Sequence, residues 1–154
     1  MMNVPTLAAA DIGRLEALHR DLLDLCLRLE AAAGEPGLAG ELCELADTVP
    51  PLLGAVHELE ERLLFPDFDR HAGSCFAAIA IERLKAEHRC DRLAADELSL
   101  TLKAVADDRC GLSPQTVSRM IGGFQESLRR HVFSEQMILE ALLSAKAEAR
   151  DVFA

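Results

Sequence analysis

Residues 56–68 read VHELEERLLFPDF. A histidine and three glutamates stand inside a run of Leu, Val and Phe that meets a proline. Charged side chains avoid a buried face unless something compensates them. Residues four apart on a helix share one face, with Cβ atoms roughly 5–6 Å apart. His57 and Glu61 have that spacing. They are expected to point together toward the interior, where one cation could take a nitrogen from one and an oxygen from the other. Glu60 lies off that direction and is expected to meet water. Glu58 is open between a surface charge and a further ligand. Pro66 removes an amide donor and is expected to end the helix.

Working outward, Ile12, Leu15, Leu18, Leu22, Leu25 and Leu29 recur every three or four residues, with His19 and Cys26 on the same stripe. This gives a first helix over about residues 10–33, stopped by GEPG at 34–37. The second helix covers about 38–65, with a kink or short break expected at Pro50-Pro51. DFDRHAGS (67–74) reads as a loop, with His71 exposed in it. A third helix spans about 75–106, with Phe76, Ile79, Ile81, Leu84, His88, Leu93, Leu98 and Leu102 as inward positions. The fourth covers about 114–149, opened by Ser113-Pro114 as cap and first-turn proline. Gly122-Gly123 in its middle marks either a close helix approach, a bend or a tolerated weak spot. Phe65 and Phe133 are expected to wall a pocket or the core. Four long helices with short connections predict an all-α, antiparallel up-down-up-down four-helix bundle, one domain over 1–154.

Composition agrees. Half of the 154 residues are hydrophobic, Leu and Ala dominate, and the formal net charge is −10. That charge disfavours nucleic acid and anionic lipid as partners. No apolar run reaches the roughly 20 residues of a membrane span, and no basic leader region is evident, so the expected location is the cytoplasm. Five cysteines without a CxxC motif predict reduced thiols, mostly filling the core. The absence of Tyr and Trp argues against tyrosyl-radical chemistry.

The histidines organise the chain further. His19, His57, His88 and His131 fall one per predicted helix, 38 residues apart in the first pair and 43 in the second. HELEE follows one pair and HVFSE the other, so Glu61 and Glu135 each stand four residues after a histidine. Four imidazoles and two carboxylates converging in a bundle suit a pair of iron ions, with manganese or zinc also compatible. The ferritin-like pattern needs two ExxH pairs. This chain has one, from Glu16 to His19.

The pieces LEALHRDL, VHELEERLLFPDF, LKAEHRC and LRRHVFSEQMIL resemble the hemerythrin-like, HHE cation-binding domains over nearly the whole chain. The most specific piece is HELEERLLFP. The resemblance implies a four-helix bundle holding a non-heme di-iron centre, with His19 and His57 on one iron, His88 and His131 on the other, Glu61 and Glu135 bridging, and Glu58 as an extra ligand. The oxygen-carrying relatives have HxxxH on the third helix. Here Leu84 and Arg92 flank His88 at that spacing, so simple oxygen carriage is not implied. The function expected is binding or sensing of O₂, peroxide or NO, or iron handling. The stress-repair relatives often carry a cysteine-bearing region ahead of the bundle; about ten residues precede the first helix here. The alternatives are a metal- or redox-dependent regulatory module, or a bundle holding zinc. A protein partner or homo-oligomer would need an exposed apolar patch, and ILEALLSAKAEARDVFA at the C-terminal end is the candidate.

Overall fold

The computed structural model describes residues 5–34 and 39–154, so the expected turn at GEPG lies mostly outside the described residues. Helix α1 spans Ala9–Gly34, α2 Ala39–Leu59, α3 Phe65–His71, α4 Phe76–Ala106 and α5 Pro114–Ala147. A single π-helical turn, Glu60–Leu64, joins α2 to α3 without leaving helical backbone. The described chain is all-helical, and α2, the π turn and α3 together act as one rod of a four-helix bundle. No helix among the described residues is long and apolar enough to cross a membrane.

Both proline expectations are corrected, because a missing N–H is tolerated where its acceptor finds another donor or where the proline falls in a first helical turn. α2 runs unbroken through Pro50-Pro51. Pro50 cannot bond the Ala46 carbonyl, but the Ser99 hydroxyl of α4 donates to that oxygen at 2.6 Å. Pro66 does not stop the helix either. The π turn shifts the hydrogen bonding, so the Phe65 N–H bonds the Glu60 carbonyl and Pro66 falls in the first turn of α3. Residues 67–71 are therefore helical, and the loop shrinks to Ala72–Cys75. His71 is half-buried, its Nδ1 3.0 Å from the Asp67 carbonyl. In the short loop Gly73 has φ +68, and a Cβ there would lie 2.7 Å from Asp151. Only glycine fits both conditions.

α5 begins as its sequence dictates. Ser113 is extended, its Oγ accepts from the Thr116 N–H at 3.2 Å, and Pro114 follows. A Cβ added at Gly122 or Gly123 meets nothing within 4 Å, so close helix approach is not the reason for that pair.

Two apolar clusters form the core. One joins Leu22–Ala32 of α1, Leu42–Val56 of α2, Ala95–Leu102 of α4 and Val117–Val132 of α5. The other joins Leu15, Leu59–Phe68, Ala77, Ile81, Leu139 and Leu142. The start of α1 and of α4 thus meets the end of α3 and of α5. On each rod the apolar stripe is interrupted between the clusters, and the interrupting residues are polar. The interior is a polar layer between two greasy ones.

Several outer positions differ from expectation. Phe76, Ile79 and Leu93 of α4 face solvent, as does Phe133 of α5. Cys26 is buried, Cys43 and Cys110 are half-buried, but Cys75 and Cys90 are exposed. The C-terminal stretch, expected as an exposed apolar patch, is largely packed: Leu139, Leu142 and Ala145 are buried. The Val152 and Phe153 amides bond the carbonyls of His71 and Ala72 at 2.8 and 3.0 Å. Buried Asp67 fastens this end, accepting from the Leu7 N–H at 3.1 Å and from the Lys146 ammonium.

Candidate metal centre

The polar layer is built from one stripe residue per rod. On α1, His19 continues Leu15 and Leu22. On the second rod Glu60 stands between Val56 and Leu63/Leu64. On α4, His88 lies seven residues from both Ile81 and Ala95. On α5, Glu135 lies between Val132 and Leu139. All four are buried.

Their side chains meet. Glu60 Oε1 accepts from His19 Nε2 at 2.7 Å. His88 Nε2 lies 2.6 Å from Glu135 Oε1 and 3.2 Å from Glu60 Oε2. His19, Glu60 and Glu135 each present a donor atom within 4.8 Å of the others. His57, also buried, stacks on His88 with ring centroids 3.7 Å apart and planes 8° apart. Phe65 closes the other approach to His88 at 5.5 Å.

Glu60 corrects the expectation that it meets water: it is wholly buried. The four-residue spacing from His57 favoured Glu61, but the better register was the apolar one. Leu53, Val56, Leu63 and Leu64 lie at −7, −4, +3 and +4 from Glu60, so the stripe itself runs through position 60. Glu61 sits at the rim, 29 % exposed, with Oε1 3.0 Å from His88 Nδ1. Glu58 faces outward and holds Arg62 at 2.7 Å, apart from the cluster. His131 is likewise one residue off the stripe through Val132 and Glu135. Its ring is held between Asp91, on Nδ1, and Glu87, with Nε2 2.9 Å from the Glu87 carboxylate. Asp91 and Glu87 escaped the sequence reading. Their signal is the acids at −1 and +3 around His88 in AEHRCD.

Protonation follows burial and partners. Burial, and then the neighbouring His88 charge, pull His57 down to about 3, so its ring is neutral. Burial also opposes a charge on His88, but hydrogen bonds to Glu135 and Glu60 outweigh it and hold the ring up to about 10. The two carboxylates are pushed apart. Burial drives Glu135 up, helped by the charge of Glu60. Glu60 resists its burial because His19 and His88 hydrogen-bond it, and it is driven down. Without a metal, His88 stands in the layer as an imidazolium.

The layer also has unspent capacity. His19 Nδ1 and His57 Nδ1 are buried without hydrogen-bond partners, and Glu60 Oε2 has only the long 3.2 Å contact to the His88 imidazolium. Buried polar atoms are normally satisfied, and these are nitrogens and a carboxylate oxygen, the donor set of a borderline divalent cation. The residues therefore fit a metal. A family model described as Hemerythrin HHE cation binding domain matches residues 10–143.

The chain belongs to the hemerythrin HHE cation-binding family.

Comparison with curated proteins and with solved structures found no match. As an HHE domain the protein carries a cation-binding fold, and the buried His and Glu residues form a possible metal site within it.

Proposed function

We propose that this HHE domain holds two non-heme iron ions and uses them to bind or sense O₂, peroxide or NO, or to handle iron. The observation that carries the reading is the pair of buried carboxylates, Glu60 and Glu135, beside two buried ring nitrogens, Nδ1 of His19 and of His57, that lack partners. Two carboxylates in an apolar interior are costly unless cations compensate them. Without a metal the layer meets that cost by keeping Glu135 protonated, pushed up to about 8, beside the His88 imidazolium; bound cations would let both carboxylates ionise.

In this reading Glu60 and Glu135 would be the carboxylates available to both ions, with His19 and His57 serving one ion and His88 and His131 the other. Glu60 takes the role the spacing had given to Glu61, and Glu61 steadies the His88 ring through Nδ1. Such hydrogen bonds fix ring orientation and raise ligand basicity. Asp91 and Glu87 hold His131 at the rim, where a small molecule would enter. Phe65 and the two leucine-rich clusters keep bulk water from the layer. Iron, when bound, supplies electrons and open coordination positions for a diatomic molecule or peroxide.

His88 must release its proton to become a ligand. Metal uptake is then accompanied by proton release and strengthens with rising pH below about 10. The test is metal content and optical spectrum of protein made in iron-replete culture, followed by O₂ or NO added to the reduced form. Two irons per chain and a spectrum that changes on either gas are expected. Stoichiometric zinc from the same culture overturns the iron reading. Bound iron with no response to either gas would favour the regulatory module, in which metal sets the packing that a partner reads.

A further inference from the structure

α4 carries a second pattern that the metal centre does not use. Phe76, Ile79, Arg83, Ala86, Cys90, Leu93, Glu97 and Leu100 are spaced alternately by three and four residues. This is the heptad spacing of a coiled-coil seam, and six of the eight are apolar or cysteine. They lie on the side of α4 opposite its buried stripe of Ile81, His88, Ala95 and Leu102. Phe76, Ile79, Leu93 and Leu100 are 73, 66, 72 and 70 % exposed. Scattered exposed leucines need no explanation. A row in strict 3.5-residue register along most of a 31-residue helix is a different matter.

We propose that this face pairs α4 with the α4 of a second copy of the chain, antiparallel, about a two-fold axis between residues 91 and 92. The charges choose the partner and the direction. In this register Cys90 packs on the partner's Leu93, and Glu97 on the partner's Ala86. The flanking row is Glu82, Arg89, Asp96 and Lys103, all exposed. An antiparallel pair sets this row against its own copy. Arg89 then faces the partner's Asp96, and Glu82 faces the partner's Lys103. Within the seam, Arg83 lies one layer from the partner's Glu97. Each attraction occurs twice by symmetry.

The alternatives lose these attractions. Parallel pairing sets Arg83 on itself, Glu97 on itself, and Glu82 against the partner's Glu87. Slipping the antiparallel register by one heptad puts Glu82 against the partner's Asp96, and Arg89 on itself. Charged flanks of this kind specify orientation and register. A self-complementary row is what an isologous interface requires, so a second copy fits this face better than an unrelated protein.

The test is the mass of the metal-loaded chain by analytical ultracentrifugation across a range of concentrations. The wild type should have the mass of two chains at tens of micromolar. Leu93→Glu should have the mass of one, with helix content and metal content unchanged, because Leu93 touches little in its own bundle. Arg89→Asp should raise the dissociation constant about tenfold, since it turns two rim attractions into repulsions. Arg89→Asp combined with Asp96→Arg should restore the wild-type value. A monomeric wild type overturns the proposal. So does a dimer indifferent to Leu93→Glu, and so does a charge-swapped double variant no tighter than Arg89→Asp alone. Oxidation of the Leu93→Cys variant should link position 93 to the partner's Cys90. A link between the two introduced thiols would show the parallel arrangement and overturn the direction.

Discussion

His57 and His131 occupy matching places in the sequence, each opening an HxxxE, yet the fold treats them in opposite ways. His57 is buried, neutral and stacked on His88, with Nδ1 unpartnered. His131 sits at the rim with both ring nitrogens on carboxylates. The acids differ too. On α5 the stripe residue Glu135 does stand four after the histidine. On the α2 side the stripe residue is Glu60, three after it, and Glu61 is displaced to the rim. Two similar sequence halves thus give a dry side with unspent donors and a wetter side already satisfied by protein. Local spacing proposes which side chains could cooperate, and the apolar stripe decides which of them are buried.

The sharpest break of this comparison is at Glu60. Glu60→Ala should take metal content close to zero, as Glu135→Ala should. Glu61→Gln should weaken binding by only ~10–100-fold, the range for a partner that orients a ligand. Equal loss from Glu60→Ala and Glu61→Gln, by elemental analysis, would remove the distinction. Next comes the histidine pair. His57→Ala should weaken metal binding roughly tenfold more than His131→Ala. The ring at 131 must first leave two carboxylates, and charge-assisted hydrogen bonds are worth about 1.5–3 kcal/mol each. If neither variant lowers metal content, the two rings are not ligands at all.

Much of this was legible before any coordinates. The 3.6-residue period gave the long helices, and of the one histidine on each rod His19 and His88 fall in the polar layer, His57 stacks against it and His131 stands at its rim. What stayed hidden depends on distant partners. Nothing near Pro50 in sequence reveals that Ser99 bonds the Ala46 carbonyl. The π turn is a response to Pro66 and to packing, not a propensity of EERLL. Glu60 was readable, but only by giving Leu53, Val56, Leu63 and Leu64 more weight than His57. Asp91 and Glu87 are ordinary helix acids until His131 is brought across from α5.

The two histidines should also answer pH with opposite signs in the metal-free protein. Folded, His57 stays neutral down to about 3, whereas the unfolded ring takes a proton near 6.5. The unfolded chain therefore binds more protons in that window, and stability falls as pH drops from 6.5 toward 3. His131 holds its proton more tightly when folded, chiefly through Asp91. Its contribution is complete below 6.5 and fades as pH rises above that value. Urea midpoints at pH 5, 6.5 and 8 should show His57→Leu shrinking the acid-side loss and His131→Asn shrinking the alkaline-side loss. Profiles that shift in the same direction for both variants would erase the contrast.

The smallest expected effect contrasts the two helices themselves. α2 contains two prolines and relies on α4 for a missing bond, whereas the one proline of α5, Pro114, sits in its first turn, where no bond is lost. Ser99→Ala leaves the Ala46 carbonyl without a donor in the core, and a buried acceptor left so costs about 1–3 kcal/mol. Ser134→Ala removes a hydroxyl that also bonds a carbonyl, that of Arg130, at 3.1 Å on α5. That carbonyl keeps its own helical partner and is exposed, so the change should stay within about 0.5 kcal/mol. Neither variant should alter metal content, because neither hydroxyl touches the polar layer. Chemical denaturation of the two side by side separates a bond that repairs a proline from one that merely decorates a helix. Equal midpoints would mean that Pro50 is tolerated for another reason.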